Sequence, residues 1–350
     1  MEDTAAPTNQ DSANQDSAAS THVANACNLL RQVRDDTDGA LLILTGAGMS
    51  VASGVPVFRN SNGSMSPEFL AFLKGYNEAR RRHNLAEVDD WFDFSVPDMF
   101  DPPTAAQAWH YWRWRILRAR VEPAQDYQWL QALCDYFNTA KLQQDADTKN
   151  KIDNNSINLP KNRKVFVVTS NCDNLHARSG TDPDAIKEIH GSLGLLQCSE
   201  PCCRDLYPVD DGMLQNLKDN SKPNWIPMCP KCQTRCLRPN VMIFDDWALV
   251  HDKLQEQQQA YQAFLRHHCG NNFVILEIGA GTVVPSIRWE AETKGEQGHG
   301  LIRINPSPEE CDSSLAGTPK YVPLVATSSD GLIDLCRGLG LLEGNEEKIN

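Results

Sequence analysis

Six of the chain's twelve cysteines fall in one short segment, and clustered thiols are typical of metal binding. Cys229 and Cys232 have the C-x-x-C spacing that places two thiolates on one side of a metal ion. An earlier pair consists of Cys198 with either Cys202 or Cys203, and the spacing leaves both choices open. Two such pairs predict a four-cysteine zinc site, in which four thiolates complete the coordination and make the metal structural.

A glycine-rich loop follows the apolar run ALLILT (40–45) and reads TGAGMSVASGVPVFRN. Gly46 and Gly48 let the backbone turn tightly and approach a ligand, and the amides that open the next helix can hold a phosphate. Ser50 adds a hydroxyl donor. The next glycine, Gly54, is too far along for the G-x-G-x-x-G fingerprint, so a plain tight turn is the alternative interpretation.

Phe58 and Arg59 come shortly after this loop, beyond Pro56, which prevents helix continuation. An aromatic face and a cation beside a phosphate loop suit a dinucleotide ligand. The alternative is a surface loop with a buried phenylalanine and a solvated arginine.

Polar side chains also follow the apolar run VFVVT, in the sequence SNCDNLH (170–176). Ligands of open α/β sheets bind beyond the carboxyl ends of strands, and Asn171 and Asp173 can contact an amide or a ribose there. An ordinary helix cap and turn is an equally good interpretation. Further on, His190 precedes a glycine and can take up a proton near neutral pH, although a lone histidine is more often structural.

Several short apolar runs predict strands that are buried on both faces: 40–45, 164–170, 272–279, 301–305 and 321–326. Helical stretches separate some of them. This alternation predicts a doubly wound, Rossmann-like α/β domain with a parallel sheet. A helical insertion at about 61–159 and the cysteine segment at about 191–243 interrupt it, which leaves core segments at about 25–60, 160–190 and 244–340.

The first 20 residues are polar and rich in Ala, Ser, Asn, Gln and Asp, which predicts a disordered tail. Residues 341–350 are expected to form a second tail. The net charge of −13 argues against a protein that coats nucleic acid or anionic lipid. No apolar run is long enough to span a bilayer, so we expect no membrane partner and an intracellular location, cytoplasmic or nuclear.

Taken in order, the motifs GAGMSVASGVPVFR, TSNCDNLH, IHGSL, the cysteine pairs, LRPNVMIF, IGAGTVVP and RIN resemble the sirtuin family of NAD-dependent protein deacylases. The resemblance covers roughly residues 25 to 340. It implies a Rossmann-like domain with a smaller zinc-ribbon and helical module, NAD and one zinc ion as cofactors, and an acyl-lysine protein or peptide as substrate. It leaves the oligomeric state open.

The resemblance also implies roles for individual residues. His190 matches the general base, and Asn171 and Asp173 match residues of the nicotinamide pocket. The other implied NAD contacts are Gly46, Ala47, Gly48, Ser50, Phe58, Arg59, Ser170, Gly279, Gly281, Thr282 and Asn305. The sequence RDLYP after Cys203 is similar to the family's second zinc ligand position, which favours the set Cys198, Cys203, Cys229 and Cys232.

Three positions depart from the family pattern. Val57 replaces an aspartate, Ser170 replaces a glutamine that reaches the ribose, and Asp245 replaces a glycine beside the expected acyl-lysine tunnel. We therefore expect an NAD-dependent lysine deacylase, with an NAD glycohydrolase or mono-ADP-ribosyltransferase on the same fold as the alternative. A module that only senses NAD or ADP-ribose is a third interpretation, but it would not need His190.

Overall fold

The computed structural model describes residues 9–57, 64–82, 84, 86–145, 163–268 and 272–342. Its strands are β1 (Ala40–Thr45), β2 (Val165–Thr169), β3 (Ile186–Glu188), β4 (Gly191–Cys198), β5 (Tyr207–Pro208), β6 (Leu237–Val241), β7 (Phe273–Ile278), β8 (Gly300–Asn305) and β9 (Tyr321–Val325). Its helices are α1 (Asn9–Asp35), α2 (Pro67–Arg82), α3 (Ala105–Ala119), α4 (Gln125–Asp145), α5 (Leu175–Arg178), α6 (Asp211–Lys218), α7 (Asp252–His267), α8 (Ser286–Gln297) and α9 (Ser328–Leu339).

The larger sheet has six strands in the order β3-β2-β1-β7-β8-β9, and the smaller one has three in the order β5-β4-β6. The pairings of β1 with β7, β7 with β8 and β8 with β9 are parallel. The strand order reverses between β1 and β7, as in a doubly wound fold. The predicted Rossmann-like α/β class and its five strands are confirmed.

The chain divides into two compact units. Unit 1 comprises Met1–Met49, Gln125–Val167 and Ala263–Asn350, and unit 2 comprises Ser50–Ala124 and Val168–Gln262. The expected helical insertion at about 61–159 is therefore divided, because α2 and α3 belong to unit 2 while α4 belongs to unit 1.

Unit 1 is built on strands that are buried along their whole length. All residues of β1, β7 and β8 are buried, and α1, α4, α8 and α9 pack on this unit's strands and on one another. Two of the buried strand residues are charged. Glu277 on β7 and Arg303 on β8 are register partners and form two hydrogen bonds of 2.8 Å, so that both buried charges are paired.

Helix α1 begins earlier than the sequence predicts. It starts at Asn9, so residues 9–20 are helical and not a disordered tail, while residues 1–8 lie outside the described part of the chain. The apolar positions Ala26, Leu30 and Val33 repeat with helical spacing and are fully buried. Adding residues to a helix anchored in this way costs less than starting one, which accounts for the longer helix.

Unit 2 has an aromatic core in which α2 packs on α3, and α3 packs against β4 of the small antiparallel sheet. Trp109 and Trp112 are buried and donate their indole N–H groups to the carbonyls of Leu237 and Phe94 at 2.8 and 3.0 Å. The tryptophan-rich stretch is thus core. Among the described residues, no helix combines the length and apolarity needed to cross a membrane.

Candidate functional site

The glycine loop after β1 and the loop after β7 touch through their backbones in unit 1. Gly48 donates its N–H to the Gly279 carbonyl at 3.0 Å, and Gly46 donates to Ile278 at the same distance. A Cβ on Gly48 would lie 2.6 Å from the Gly279 Cα. Because that obstacle is backbone, it cannot move aside, and the contact requires glycine.

This contact concerns the tight turn that the two glycines were expected to form. Their amides are used by the sheet, so Gly46 and Gly48 set the path of the turn and do not themselves donate to a phosphate. Ala47, between them, is exposed on the turn Ala47–Ser50. Phe58 and Arg59, which were expected to close over the ligand, lie outside the described residues.

The loop after β7 begins with one further predicted residue, Gly279, and contacts another, Asn305. Gly279 has a φ of 61°, in the left-handed region that favours glycine. Asn305, at the end of β8, donates its side-chain amide to the Ala280 carbonyl at 3.2 Å. Its side-chain carbonyl accepts the Ser307 N–H at 3.1 Å. Asn305 therefore stabilises the loop after β7 and the loop after β8.

Thr282 and Gly281 follow in the same loop after β7. The Thr282 hydroxyl donates to the buried carboxylate of Glu310 at 2.9 Å. A Cβ on Gly281 would meet nothing within 4 Å. Gly281 is thus not required by packing.

A buried chain of three polar side chains occupies unit 2. Asn171 donates its side-chain N–H to the Ser50 Oγ at 3.0 Å, and the Ser50 hydroxyl donates to Asp173 Oδ2 at 2.6 Å. Asp173 Oδ1 accepts the backbone N–H of Leu175 at 2.9 Å, which is the capping role considered from the sequence. Burial raises the pKa of Asp173 above its ordinary value. The structure brings these predicted residues together, while Ser170 is half-buried beside Asn171.

His190 lies between β3 and β4, with its ring half-buried. Its carbonyl accepts the Met242 N–H at 2.9 Å, which ties it to the segment after β6. Burial lowers the pKa of His190 below its ordinary value, so the ring is neutral at physiological pH. Gly191 has a φ of 80°, and a Cβ there would clash with the Asn240 carbonyl oxygen, which explains the glycine after the histidine.

A cavity of about 370 Å³ within unit 2 is bordered by Asn171 and Asp173. Glu188 also lines it and was missed from the sequence. The Glu188 carboxylate accepts a hydrogen bond from the Gln257 side chain at 3.4 Å, and burial raises its pKa to about 7. The sequence contains no motif that marks Glu188 as a site residue, because it is a single charged residue on a strand of three residues.

Replacing Glu188 with glutamine is expected to change how stability depends on pH. A carboxyl with a raised folded-state pKa holds a proton that the unfolded chain has lost, so stability falls as pH rises from 4.5 to about 7. At pH 8 the variant should be more stable by on the order of 3 kcal/mol. Urea unfolding at pH 5 and pH 8 tests this, and equal pH dependence in both proteins would contradict it.

The aspartate at the glycine position of the family pattern adopts a glycine-like conformation. Asp245 has a φ of 52°, its side chain is exposed, and its carbonyl accepts the Trp247 N–H at 3.1 Å. Aspartate tolerates the left-handed region better than most residues. The backbone path that glycine would allow is therefore kept, with an added negative charge.

The four-cysteine cluster forms in unit 2, with one ligand different from the expected set. The sulfur atoms of Cys198, Cys202, Cys229 and Cys232 all lie within 4.8 Å of one another. The expectation of Cys203 is therefore wrong for this geometry. Its Sγ lies outside that group, 3.6 Å from the Tyr207 hydroxyl. The spacing of the cysteines, without the resemblance, was compatible with either Cys202 or Cys203 as the ligand.

The donor set fits a zinc ion. Four thiolates around zinc lie about 3.8 Å apart, given Zn–S bonds of about 2.3 Å, and the Cys198–Cys232 and Cys202–Cys229 sulfur distances are 3.9 and 3.6 Å. The site can hold one structural zinc ion.

Comparisons with known proteins agree with this arrangement. The model of the Sir2 family matches residues 126–275. An NAD-dependent protein deacylase of Pseudomonas aeruginosa is 27% identical over 77% of this chain and 83% of its own length. A protein ADP-ribosyltransferase of Staphylococcus aureus is 30% identical over 36% of this chain and 41% of its own length. A solved Sir2 structure with a p53 peptide and NAD+ has a TM-score of 0.52 at 17% identity, covering 87% of this chain and 94% of that one.

Proposed function

Because this chain belongs to the Sir2 family, we propose that it is an NAD-dependent protein-lysine deacylase, which transfers an acyl group from lysine to ADP-ribose and releases nicotinamide. The observation that carries the proposal is the buried hydrogen-bond chain of Asn171, Ser50 and Asp173. The carboxamide of the nicotinamide group has an N–H donor on one side and a carbonyl acceptor on the other, so an acceptor on the protein can bind its donor side. Asp173 can accept a further hydrogen bond on either carboxylate oxygen, and its orientation is already fixed by Ser50 and Leu175.

The other site residues support the same activity. The tight turn at Gly46 and Gly48 lets a phosphate group approach the backbone, and Ala47 is exposed there. Bound NAD supplies a ribose carbon that loses nicotinamide readily. His190 is kept neutral by burial, so one imidazole nitrogen can take a proton from a ribose hydroxyl as general base.

The alternative function, NAD cleavage with transfer to water or a protein side chain, has support of its own. One relative is a protein ADP-ribosyltransferase. Asp245 adds an exposed carboxylate where the family pattern has no side chain, and Ser170 cannot reach as far as glutamine. We rank this function second, because the deacylase relative aligns over most of both chains.

Nicotinamide release by the purified chain, measured with and without an acetyl-lysine peptide, tests the proposal. A deacylase releases nicotinamide only when acyl-peptide is present and forms deacetylated peptide in equal amount. Release with NAD alone would instead establish glycohydrolase or transferase chemistry. NAD binding without any release, over a panel of acyl groups, would contradict both functions and leave a sensor.

The activity should persist at pH values below the usual histidine range. A general base works in its neutral form, and the lowered pKa of His190 keeps that form populated as the pH falls. We expect the acid limb of kcat/KM against pH to lie below about 6.5, the ordinary histidine value. An acid limb at or above that value would mean that burial does not lower the pKa of the general base.

We also propose an intracellular location, in the cytoplasm or the nucleus. Every cysteine that the structure describes is a free thiol, which is usual in a reducing compartment. Fractionation of cells that carry the tagged protein tests this, and recovery from the secreted fraction would contradict it.

A further inference from the structure

Five thiols, one more than a zinc ion binds, meet at the metal site of unit 2. The Cys203 Sγ lies 3.8 Å from the Cys202 Sγ. That separation falls between the two distances inside the cluster, 3.6 Å for Cys202–Cys229 and 3.9 Å for Cys198–Cys232. The Cys203 sulfur is therefore as close to one ligand sulfur as the ligands are to one another.

We propose that Cys203 is an alternative fourth ligand of this metal site, and that it replaces Cys202 when Cys202 is lost or modified. The ion concerned is a divalent, thiophilic metal such as zinc. The other three ligands are common to both arrangements. The proposal is independent of the reaction that the chain catalyses.

The local backbone allows this exchange. Cys202 and Cys203 lie in an irregular segment between β4 and β5, outside any helix or strand. In contrast, Cys198 ends a strand and Cys229 is fully buried, so both are held in place. Within this segment the two cysteines lie in a bend, and only the Cys202 sulfur belongs to the group of four. A change of backbone torsion in this segment would exchange them.

Tyr207 gives the sulfur that is not a ligand a defined position. Its hydroxyl lies 3.6 Å from the Cys203 Sγ. Tyr207 is on β5 and is paired with Leu196 of β4, the strand that ends in Cys198. The reserve thiol thus lies beside the sheet that carries Cys198, and it needs to move by no more than 3.8 Å to reach the present Cys202 sulfur position.

Exposure indicates why a reserve ligand would matter. Cys202 is exposed, whereas Cys198 and Cys229 are buried. Electrophiles and oxidants therefore reach Cys202 more readily than those two ligands. With Cys203 beside it, loss of that thiolate leaves four cysteines, and the metal is retained.

The test compares the metal content of Cys202→Ser, Cys203→Ser and the double variant, with Cys229→Ser as the control that removes a shared ligand. Zinc per chain is measured after dialysis, and the absorption of the cobalt-substituted proteins reports four thiolates. We expect both single variants to keep about one metal with a four-thiolate spectrum, and the double variant to lose it as Cys229→Ser does. Metal loss, or a three-thiolate spectrum, in Cys202→Ser would overturn the proposal, as would full retention in the double variant.

A second measurement needs no substitution. Zinc-loaded wild-type protein is alkylated with iodoacetamide to one label per chain and mapped by mass spectrometry, and its zinc is counted. If Cys202 and Cys203 exchange as the fourth ligand, some molecules should carry the label on Cys202 and others on Cys203, and both kinds should retain zinc. Labelling of Cys203 alone, or zinc loss whenever Cys202 is labelled, would show a fixed set of ligands.

Discussion

Replacing Gly279 with alanine is expected to destabilise unit 1 and to abolish measurable NAD binding. The new Cβ would lie 2.5 Å from the Gly48 Cα and 2.8 Å from the Met49 nitrogen, which are both backbone atoms. The left-handed φ of 61° adds to the cost. Strain of about 1–2 kcal/mol and overpacking of about 1–3 kcal/mol together predict a loss of about 2–5 kcal/mol.

The same loop offers a matched control. A Cβ on Gly281 would meet nothing within 4 Å, and its φ is not in the left-handed region. Gly281→Ala should therefore unfold in urea like the wild type. Equal stability of the Gly279 and Gly281 variants would show that the backbone contact with Gly48 is not what holds this loop.

Replacing His190 with alanine is expected to lower kcat by about 10²–10⁴-fold, the usual contribution of a general base. NAD affinity should change little, because the described contacts of Ser50, Asn171 and Asp173 do not involve the His190 ring. The backbone hydrogen bond from Met242 to residue 190 does not depend on the side chain, so the fold should persist.

His251→Ala is the matched control, since His251 is exposed. Single-turnover kinetics with saturating NAD and acyl-peptide separate chemistry from binding, and zinc content checks that the variant is folded. Wild-type turnover in the His190 variant would remove the general base from the proposed mechanism. A parallel loss of turnover in His251→Ala would point to a general effect of losing a histidine.

The sequence predicted the strands of unit 1 well, because they are continuous apolar runs with clear ends. The glycine pair and the polar cluster after β2 were also recognisable, since few residue types satisfy those backbone and hydrogen-bond requirements. Segments without such constraints were harder. The start of α1 depends on helix propagation, and the assignment of α4 to unit 1 depends on packing against α9, which no local pattern reports.

The zinc ligands illustrate the same limit. Spacing left Cys202 and Cys203 equivalent, and the resemblance favoured Cys203, whereas the folded segment turns Cys202 toward the other three sulfurs. The deciding factor is the direction of a side chain, which depends on distant partners.

The backbone contact between Gly48 and Gly279 also bears on the entropy of ligand binding. Two loops that interlock at this distance cannot sample separate conformations, and the amides of Gly46 and Gly48 are already bonded. A ligand that binds to these loops therefore has little disorder to remove, because folding has already fixed their conformation. Amide exchange at Gly46 and Gly48 should accordingly be slow without ligand and hardly slower with it.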